Sequence, residues 1–152
     1  MPINLEIVTP EGLKYRAECE HVLLPSVQGQ IDILPGHRPL VAMIQEGEAI
    51  VGNPGPNLAL AEDRREGHAP SEVAIDKGFV RVAGDVVSVL TERAVDVEEI
   101  DLSEVEAARE RAEAALKRAG EEDLDPAEIE RLEAVTRFSI AQQLAKARKG
   151  QR

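Results

Sequence analysis

The apolar residues of this chain change their spacing near residue 98, and this change constrains the fold more than any other feature. Before it, apolar residues recur at every second position between Gly and Pro corners, as in the segment 3–7, which is the spacing of half-buried β-strands. After it, Ala, Glu and Arg dominate and the apolar residues recur every three or four positions, as in amphipathic helices. The sequence therefore predicts a β domain over residues 1–97 and a helical domain over residues 98–152.

The β region is a series of short strands separated by turn residues. The best-bounded strand lies in residues 27–40, where two Gly/Pro corners enclose the apolar residues Ile31, Ile33 and Leu34. Many short strands at roughly ten-residue spacing are typical of a β-sandwich or barrel. Further apolar runs predict strands in the segments 3–7, 13–17, 22–24, 40–44, 49–51, 73–75, 79–82 and 86–90.

Residues 52–70 interrupt this series. They hold much of the Pro and Gly of the chain and a charged cluster at 62–66. Gly and Pro are the strongest local signals for turns and loops. We expect a hairpin tip or a mobile loop here, around a short segment from Leu58 to Leu60.

The helical region predicts two helices. Ser103 with Glu106 fits a capping box at the start of the first helix, and Gly120 marks its end. Asp125 followed by Pro126 fits the start of the second helix, and a connection of about five residues favours an antiparallel hairpin. The predicted apolar face of the second helix consists of Ile129, Leu132, Val135, Ile140 and Leu144.

The first helix offers mainly alanine methyl groups to any core. A buried methyl group contributes only about 0.8 kcal/mol, whereas ordering a residue costs about 1 to 2 kcal/mol of backbone entropy. We therefore expect the hairpin to be weakly anchored and able to move as a unit.

Charge and composition exclude some kinds of partner. The net charge is -11 and only 2% of residues are aromatic, so neither a basic surface for nucleic acid nor an aromatic ligand platform is expected. Cations gather at the C-terminal end, where Lys146, Arg148 and Lys149 follow the last acidic residue, Glu133. They fit either the dipole at a helix C-terminus or docking on an acidic surface of a partner.

No catalytic or metal-binding pattern is evident. His21, His37 and His68 lie on unrelated segments, and Cys19 has no companion ligands in a metal-binding spacing. We interpret Cys19 as a small buried strand residue, and we predict a non-enzyme without metal or cofactor. The sequence also shows neither an export signal nor an apolar run long enough to span a membrane.

Two sequence blocks carry a family resemblance. The first is VLLPSVQGQIDILPGHRPL, and the second is GFVRVAGDVVSVLTERA followed by EEID and the Ala-rich hairpin. In this order, over nearly the whole chain, they resemble the epsilon subunit of bacterial F-type ATP synthases, which is the delta subunit in mitochondrial nomenclature. On the residues alone, a freestanding β-sandwich binding module with a dimerising hairpin stays the alternative.

The resemblance implies a ten-stranded sandwich followed by two helices, in a non-catalytic rotor subunit. Its implied partners are the gamma subunit and the c-ring, so that contact with the membrane is indirect. The implied location is the cytoplasmic face of the bacterial plasma membrane. The loop that faces the c-ring in the family corresponds here to Gln30, Ile31, Asp32, Gly36 and His37.

The resemblance also implies an inhibitory hairpin that can extend toward the alpha and beta subunits. The residues that would meet a beta subunit are Arg137, Lys146, Arg148 and Lys149. Some members bind ATP through an I/L-D-x-x-R-A motif, which begins here at Ile100 and Asp101 and is joined by Arg137.

The nucleotide motif is incomplete in this chain. Glu104 and Val105 stand at the Arg-Ala positions, and Glu133 stands where a second arginine is usual. Because the two carboxylates would repel a polyphosphate, we interpret the motif as vestigial and predict no nucleotide cofactor.

Overall fold

The computed structural model describes residues 2–59, 67–120 and 124–151. It contains ten strands, a single 3₁₀ turn at Val97–Glu99 and two helices, α1 (Leu102–Ala119) and α2 (Pro126–Gln151). The predicted sandwich followed by two helices is thereby confirmed. In chain order the strands are β1 (Ile3–Thr9), β2 (Gly12–Cys19), β3 (His21–Ser26), β4 (Gly29–Ile33), β5 (Leu40–Ile44), β6 (Gly47–Gly52), β7 (Glu72–Ile75), β8 (Gly78–Ala83), β9 (Val86–Thr91) and β10 (Ala94–Asp96).

The strands form two layers that meet at one corner. Their order along the hydrogen-bonded path is β10-β7-β6-β3-β5-β8-β9-β1-β2, with β4 paired to β3. Strands β3 and β5 share a single register pair, Ser26 with Ile44, so the path turns there from one layer to the other. The first layer is β10-β7-β6-β3-β4, and the second is β5-β8-β9-β1-β2.

Alternation along the strands builds an aliphatic core between the layers. In β1 the side chains of Ile3, Leu5 and Ile7 are buried, and Val80 and Val82 of β8 face the same core. A core with so few aromatic side chains relies on β-branched residues, which suit a pleated surface.

The two helices form an antiparallel hairpin over the outer side of the first layer. Arg109 of α1 donates from Nη1 to Oε1 of Gln143 of α2 at 2.8 Å, a hydrogen bond that links the two helices. A second apolar cluster joins the hairpin to β7 and the 3₁₀ turn, and it contains Ala74, Val97, Ile100, Val105, Phe138 and Ala145.

The capping box predicted at Ser103 is wrong. Asp101 caps α1 instead: its side chain accepts hydrogen bonds from the backbone N–H groups of Ser103 and Glu104. The Ser103 hydroxyl donates to the same carboxylate at 2.8 Å. The helix therefore begins at Leu102, two residues after the buried Ile100 fixes the approach of the chain.

The predicted apolar face of α2 is wrong over its second half. Ile140 and Leu144 are exposed, whereas Phe138, Ala141 and Ala145 are buried. The physical reason is that α2 packs against both α1 and the sandwich, so its buried stripe is set by two neighbours rather than by the most apolar positions. The predicted helix boundaries at Gly120 and Asp125–Pro126 are confirmed.

The segment between β6 and β7 is partly a hairpin, as one of the two alternatives predicted. Pro56 and His68 form an antiparallel bridge, flanked by hydrogen bonds from Asn57 N–H to Gly67 C=O and from Ala69 N–H to Gly55 C=O, both at 2.9 Å. The charged cluster at 62–66 and Leu60 lie outside the described residues.

Candidate functional site: two outer faces of the sandwich

One outer face of the sandwich carries a continuous row of apolar side chains. Met43 of β5 is paired in register with Phe79 of β8, Phe79 with Leu90 of β9, and Leu90 with Val8 of β1. The alternation that buries their neighbours points these four outward. Met43 is 67% exposed and Phe79 45%, so an apolar band crosses four strands in contact with water.

This row lines a shallow concavity of about 550 Å³. Val41 lies two residues before Met43, on the same face of β5; it is 71% exposed and extends the apolar band. The charged residues Lys77 and Glu92 also line the concavity. Exposed apolar surface with a polar rim is the composition of a protein-binding patch.

The residues predicted to face the c-ring lie along the edge strand β4 rather than in a cluster. Gln30 and Asp32 are exposed, while Ile31 lies in register with the buried Leu24 and packs against the core. The side chain of Ile31 is therefore turned inward, unlike its two neighbours. Asp32 Oδ1 lies 3.1 Å from Nδ1 of His21.

The turn after β4 holds the other two residues of that set. Gly36 has φ +82°, a conformation that glycine adopts without strain, and the N–H of His37 donates to the carbonyl of Leu34 at 3.1 Å. His37 Nδ1 lies 2.7 Å from the carbonyl of Arg38. Gln30 and this turn are at opposite ends of β4, roughly 10 Å apart.

The other outer face is covered by α2, and the predicted partner-binding cations lie in that contact. Arg137 Nε is 3.1 Å from Glu46 Oε1 in the turn between β5 and β6. Arg148 Nη1 is 3.5 Å from Oε2 of Glu48, whose side chain is only 2% exposed. Both arginines therefore hold α2 on the first layer in this structure.

The last turns of α2 bind the 3₁₀ turn. Lys146 Nζ donates to the carbonyls of Val97 and Glu98, both at 3.2 Å, and Lys149 Nζ donates to Glu98 Oε1 at 2.8 Å. The hydrogen bond and the charge of Lys149 lower the pKa of the Glu98 carboxyl. The same hydrogen bond raises the pKa of Lys149. Burial raises the pKa of the neighbouring Asp96.

Phe138 is the main apolar anchor of the hairpin. It is 4% exposed in the second cluster, and the Arg93 guanidinium lies 4.7 Å from its ring centroid, within cation–π range. Arg93 also donates from Nε and Nη2 to Asp76 Oδ2, at 3.0 and 2.8 Å. Within this cluster α1 contributes Val105, whereas α2 contributes Phe138 and Ala145. That the hairpin is weakly anchored and moves as a unit stays a prediction.

The structure does not bring the vestigial nucleotide motif together. Ile100 is buried in the second cluster, and Asp101 is occupied as the α1 cap, where the Ser103 hydroxyl lowers the pKa of its carboxyl. The neighbouring Glu98 contacts Lys149 on α2, which lies twelve residues along the helix from Arg137, or roughly 18 Å. Each of the three residues already has a structural partner.

No reactive centre is found in the described part of the chain. Cys19 is buried, and burial raises its pKa to about 11, so its thiol is protonated at neutral pH. The described residues contain no group of three or more His, Cys, Asp or Glu arranged to hold a metal ion. No described helix is long and apolar enough to cross a membrane.

Sequence reasoning missed the apolar row and the Phe138 anchor. A signal existed for both: the chain has only two Phe residues, and these are the ones in question, Phe79 and Phe138. Val41 and Met43 also sit at alternate positions of β5, where a half-buried strand normally carries polar side chains.

Comparison with known proteins identifies relatives over almost the whole chain. Residues 2–97 match the family model for the ATP synthase delta/epsilon chain β-sandwich domain. An ATP synthase epsilon chain of Herpetosiphon aurantiacus is 37% identical over 150 residues, covering 98% of both chains. That of Moorella thermoacetica is 34% identical, covering 91% of this chain and 92% of its own.

A solved structure supports the fold. A chain of the Euglena gracilis mitochondrial ATP synthase, in a complex described as OSCP/F1/c-ring, matches with a TM-score of 0.65. The match covers 95% of this chain and 81% of that one at 21% identity. At this identity the likeness concerns the fold alone.

We expect Phe138→Ala to release the hairpin from the sandwich. The measurement is thiol labelling at Ala74→Cys, a position buried beneath the hairpin, with the buried native Cys19 as the internal reference. Removing a buried Phe ring costs about 3 kcal/mol or more, so labelling at position 74 should be about a hundredfold faster, with no change at Cys19. Ile140→Ala, on the exposed side of α2, is the control; equal labelling rates in the two variants would contradict the anchor.

We expect Lys149→Gln to raise the pKa of Glu98 toward the ordinary glutamate value, as measured by a nuclear magnetic resonance titration of its carboxyl. A carboxyl whose pKa is lowered on folding contributes stability above its unfolded pKa, and this is lost as the pH falls through the folded pKa. Acid should therefore weaken hairpin docking in the full chain, with a smaller loss from this pair in the variant. Lys117→Gln, on the exposed end of α1, is the control and should leave the pKa of Glu98 unchanged. If the pKa of Glu98 were also unchanged in Lys149→Gln, the proposed interaction between Glu98 and Lys149 would be wrong.

Proposed function

We propose, because the chain belongs to the family of ATP synthase delta/epsilon chains, that it is a rotor subunit of a proton-translocating F-type ATP synthase. In this role it couples rotation of the c-ring to ATP synthesis through the gamma subunit. It makes or breaks no covalent bond itself, and transmits torque by being held on both partners.

The observation that carries this proposal is the difference between the two outer faces. The first layer is covered by the chain's own hairpin, whereas the second layer exposes the row from Val8 through Leu90 and Phe79 to Met43. A soluble monomer seldom exposes such a band unless a partner covers it. We assign the gamma subunit to this face, since permanent protein–protein interfaces are the more apolar ones, whereas the polar edge of β4 suits the c-ring.

The c-ring would meet the edge strand β4 and the turn that follows it. Gln30 and Asp32 project outward from β4, and His37 lies partly exposed in the turn. These polar groups suit hydrogen bonding to polar loops of a ring, while Ile31 supports the strand from the core side. The chain would thereby be a peripheral subunit on the cytoplasmic face of a bacterial plasma membrane, in contact with the membrane only through the complex.

The hairpin is proposed to restrain ATP hydrolysis when it leaves the sandwich. In the docked state Arg137, Arg148 and Lys149 are paired with Glu46, Glu48 and Glu98. A cation paired in this way is unavailable to a carboxylate on another subunit. Docking on the sandwich and contact with an acidic surface of a beta subunit are therefore mutually exclusive uses of the same side chains.

We expect Met43→Asp to weaken binding to purified gamma subunit by at least about tenfold. The substitution places a carboxylate in the apolar row, and loss of a central contact in such a patch costs about 1.4 kcal/mol or more. Isothermal titration calorimetry measures the effect. The matched control is Leu144→Asp, at a 51% exposed leucine on the hairpin; if both variants bound gamma equally well, the assigned face would be wrong.

The hairpin is tested in purified synthase that carries either the full chain, a truncation after Val97, or a chain with a locked hairpin. The lock is a cleavable thiol cross-linker between Glu98→Cys and Lys149→Cys, whose native side chains are 2.8 Å apart. Truncation and lock should both raise ATP hydrolysis several-fold while coupled proton pumping survives. Cleavage of the linker should restore inhibition.

Three results would separate the two parts of this proposal. Unchanged hydrolysis in both variants would remove the inhibitory role and leave the stalk role. Loss of coupled pumping on truncation would place the coupling function in the hairpin instead. Failure of the full chain to join the complex would favour a freestanding binding module.

A further inference from the structure

Strand β2 lies at the end of the second layer and offers an outer edge. Among the described residues its one partner strand is β1. The outward N–H and C=O groups of an edge strand can pair with a strand of another chain. Such an edge is therefore an interaction surface unless something covers it.

The segment 52–58 covers this edge by hydrogen bonds to alternate residues of the chain. Glu20 N–H donates to the carbonyl of Gly52 at 2.9 Å, and the carbonyl of Glu18 accepts from Gly55 N–H at 2.8 Å. The carbonyl of Arg16 accepts from Leu58 N–H at 2.7 Å. Groups at every second position point to the same side of a strand, so these bonds all lie on the outer edge.

Asn57 completes the cover with its side chain. Its Oδ1 accepts from the N–H of Arg16 and from the N–H of Ala59, both at 3.2 Å. The covering segment is itself backed by residues 67–69 through the Pro56–His68 bridge. Pro54 and Pro56 carry no N–H, so the segment is a poor template for adding a further strand.

The charges along β2 are complementary to a second copy of the same strand. If two β2 strands met antiparallel about Ala17, Arg16 of each would face Glu18 of the other, and Lys14 would face Glu20. Arg16 and Glu18 are also the residues whose backbone groups point outward. One register thus satisfies both the backbone and the side chains, and it has the two-fold symmetry of an isologous dimer.

We propose that the outer edge of β2 is a self-pairing surface and that the segment 52–58 keeps it closed. The partner is a second copy of this chain. The covering segment competes with a second copy of β2 for the same edge. It prevails because it belongs to the same molecule and acts at a high effective concentration, so the intact chain is monomeric. This inference is independent of the function proposed above.

The test replaces residues 52–70 by an Asn-Gly turn. Val51 N–H already donates to the carbonyl of Ser71, and Ile50 is in register with Glu72, so a two-residue turn can join the strands directly. Sedimentation velocity over a concentration series should show the full chain as a monomer and the turn variant as a dimer. A turn variant that stays monomeric at the highest concentration used for the full chain would overturn the proposal.

The register is tested by charge exchange in the turn variant. Glu18→Arg alone puts like charges opposite each other on both sides of the two-fold axis and should weaken the dimer by about tenfold. Adding Arg16→Glu restores the complementarity and should restore the dimer. A dimer insensitive to both changes forms through another surface and contradicts the proposed pairing.

If the turn variant does not fold, a measurement on the full chain still tests the cover on which the proposal depends. Asn57→Ala removes the acceptor of the Arg16 amide and should speed its hydrogen exchange by about tenfold, whereas Asn57→Asp keeps an oxygen acceptor and should not. Asn4→Ala, at an asparagine whose side chain bonds Asp85 rather than the Arg16 amide, is the control. Unchanged exchange at Arg16 in Asn57→Ala would show that the edge is not covered as proposed.

Discussion

The Asp76 carboxylate and the Arg93 guanidinium connect the sandwich to its hairpin. Asp76 is 1% exposed and lies in the turn between β7 and β8, where its carboxylate accepts two bonds from Arg93 and one from the Lys77 N–H at 2.8 Å. A buried carboxylate that lost its cation would be strongly destabilising. The N–H groups along the edge of the Arg93 guanidinium bind the Asp76 carboxylate, and the flat face of the guanidinium lies on the Phe138 ring. One side chain therefore stabilises both the β7–β8 turn and the packing of α2.

Several parts of the fold could be predicted from sequence because they depend on local pattern. Alternation of apolar residues and Gly/Pro corners located nine of the ten described strands and missed the short β10, and Asp125 with Pro126 located the start of α2. The α1 cap could not be chosen this way, since Asp101 and Ser103 are both good caps. Asp101 is the cap in the structure because Ile100, buried in the second cluster, holds the backbone extended just before the helix.

The candidate sites were harder to predict because they depend on which surfaces meet. The cations of α2 were visible in the sequence, but their carboxylate partners Glu46, Glu48 and Glu98 lie on distant segments. A sequence pattern cannot distinguish such a contact from one with another subunit. Likewise Phe138 and Ala145 are buried in the cluster that α2 forms with β7 and the 3₁₀ turn, and the inward turn of Ile31 follows from its register with Leu24.

The cover of β2 has a consequence for the order in which the chain is made. Arg16 and the Asn57 side chain that caps its amide are 41 residues apart. At about 5 to 20 residues per second of synthesis, β2 leaves the ribosome roughly 2 to 8 seconds before its cover exists. During that interval neighbouring nascent chains on one messenger RNA present the same self-complementary edge to each other, so spacing between ribosomes becomes part of the chain's protection against misassembly.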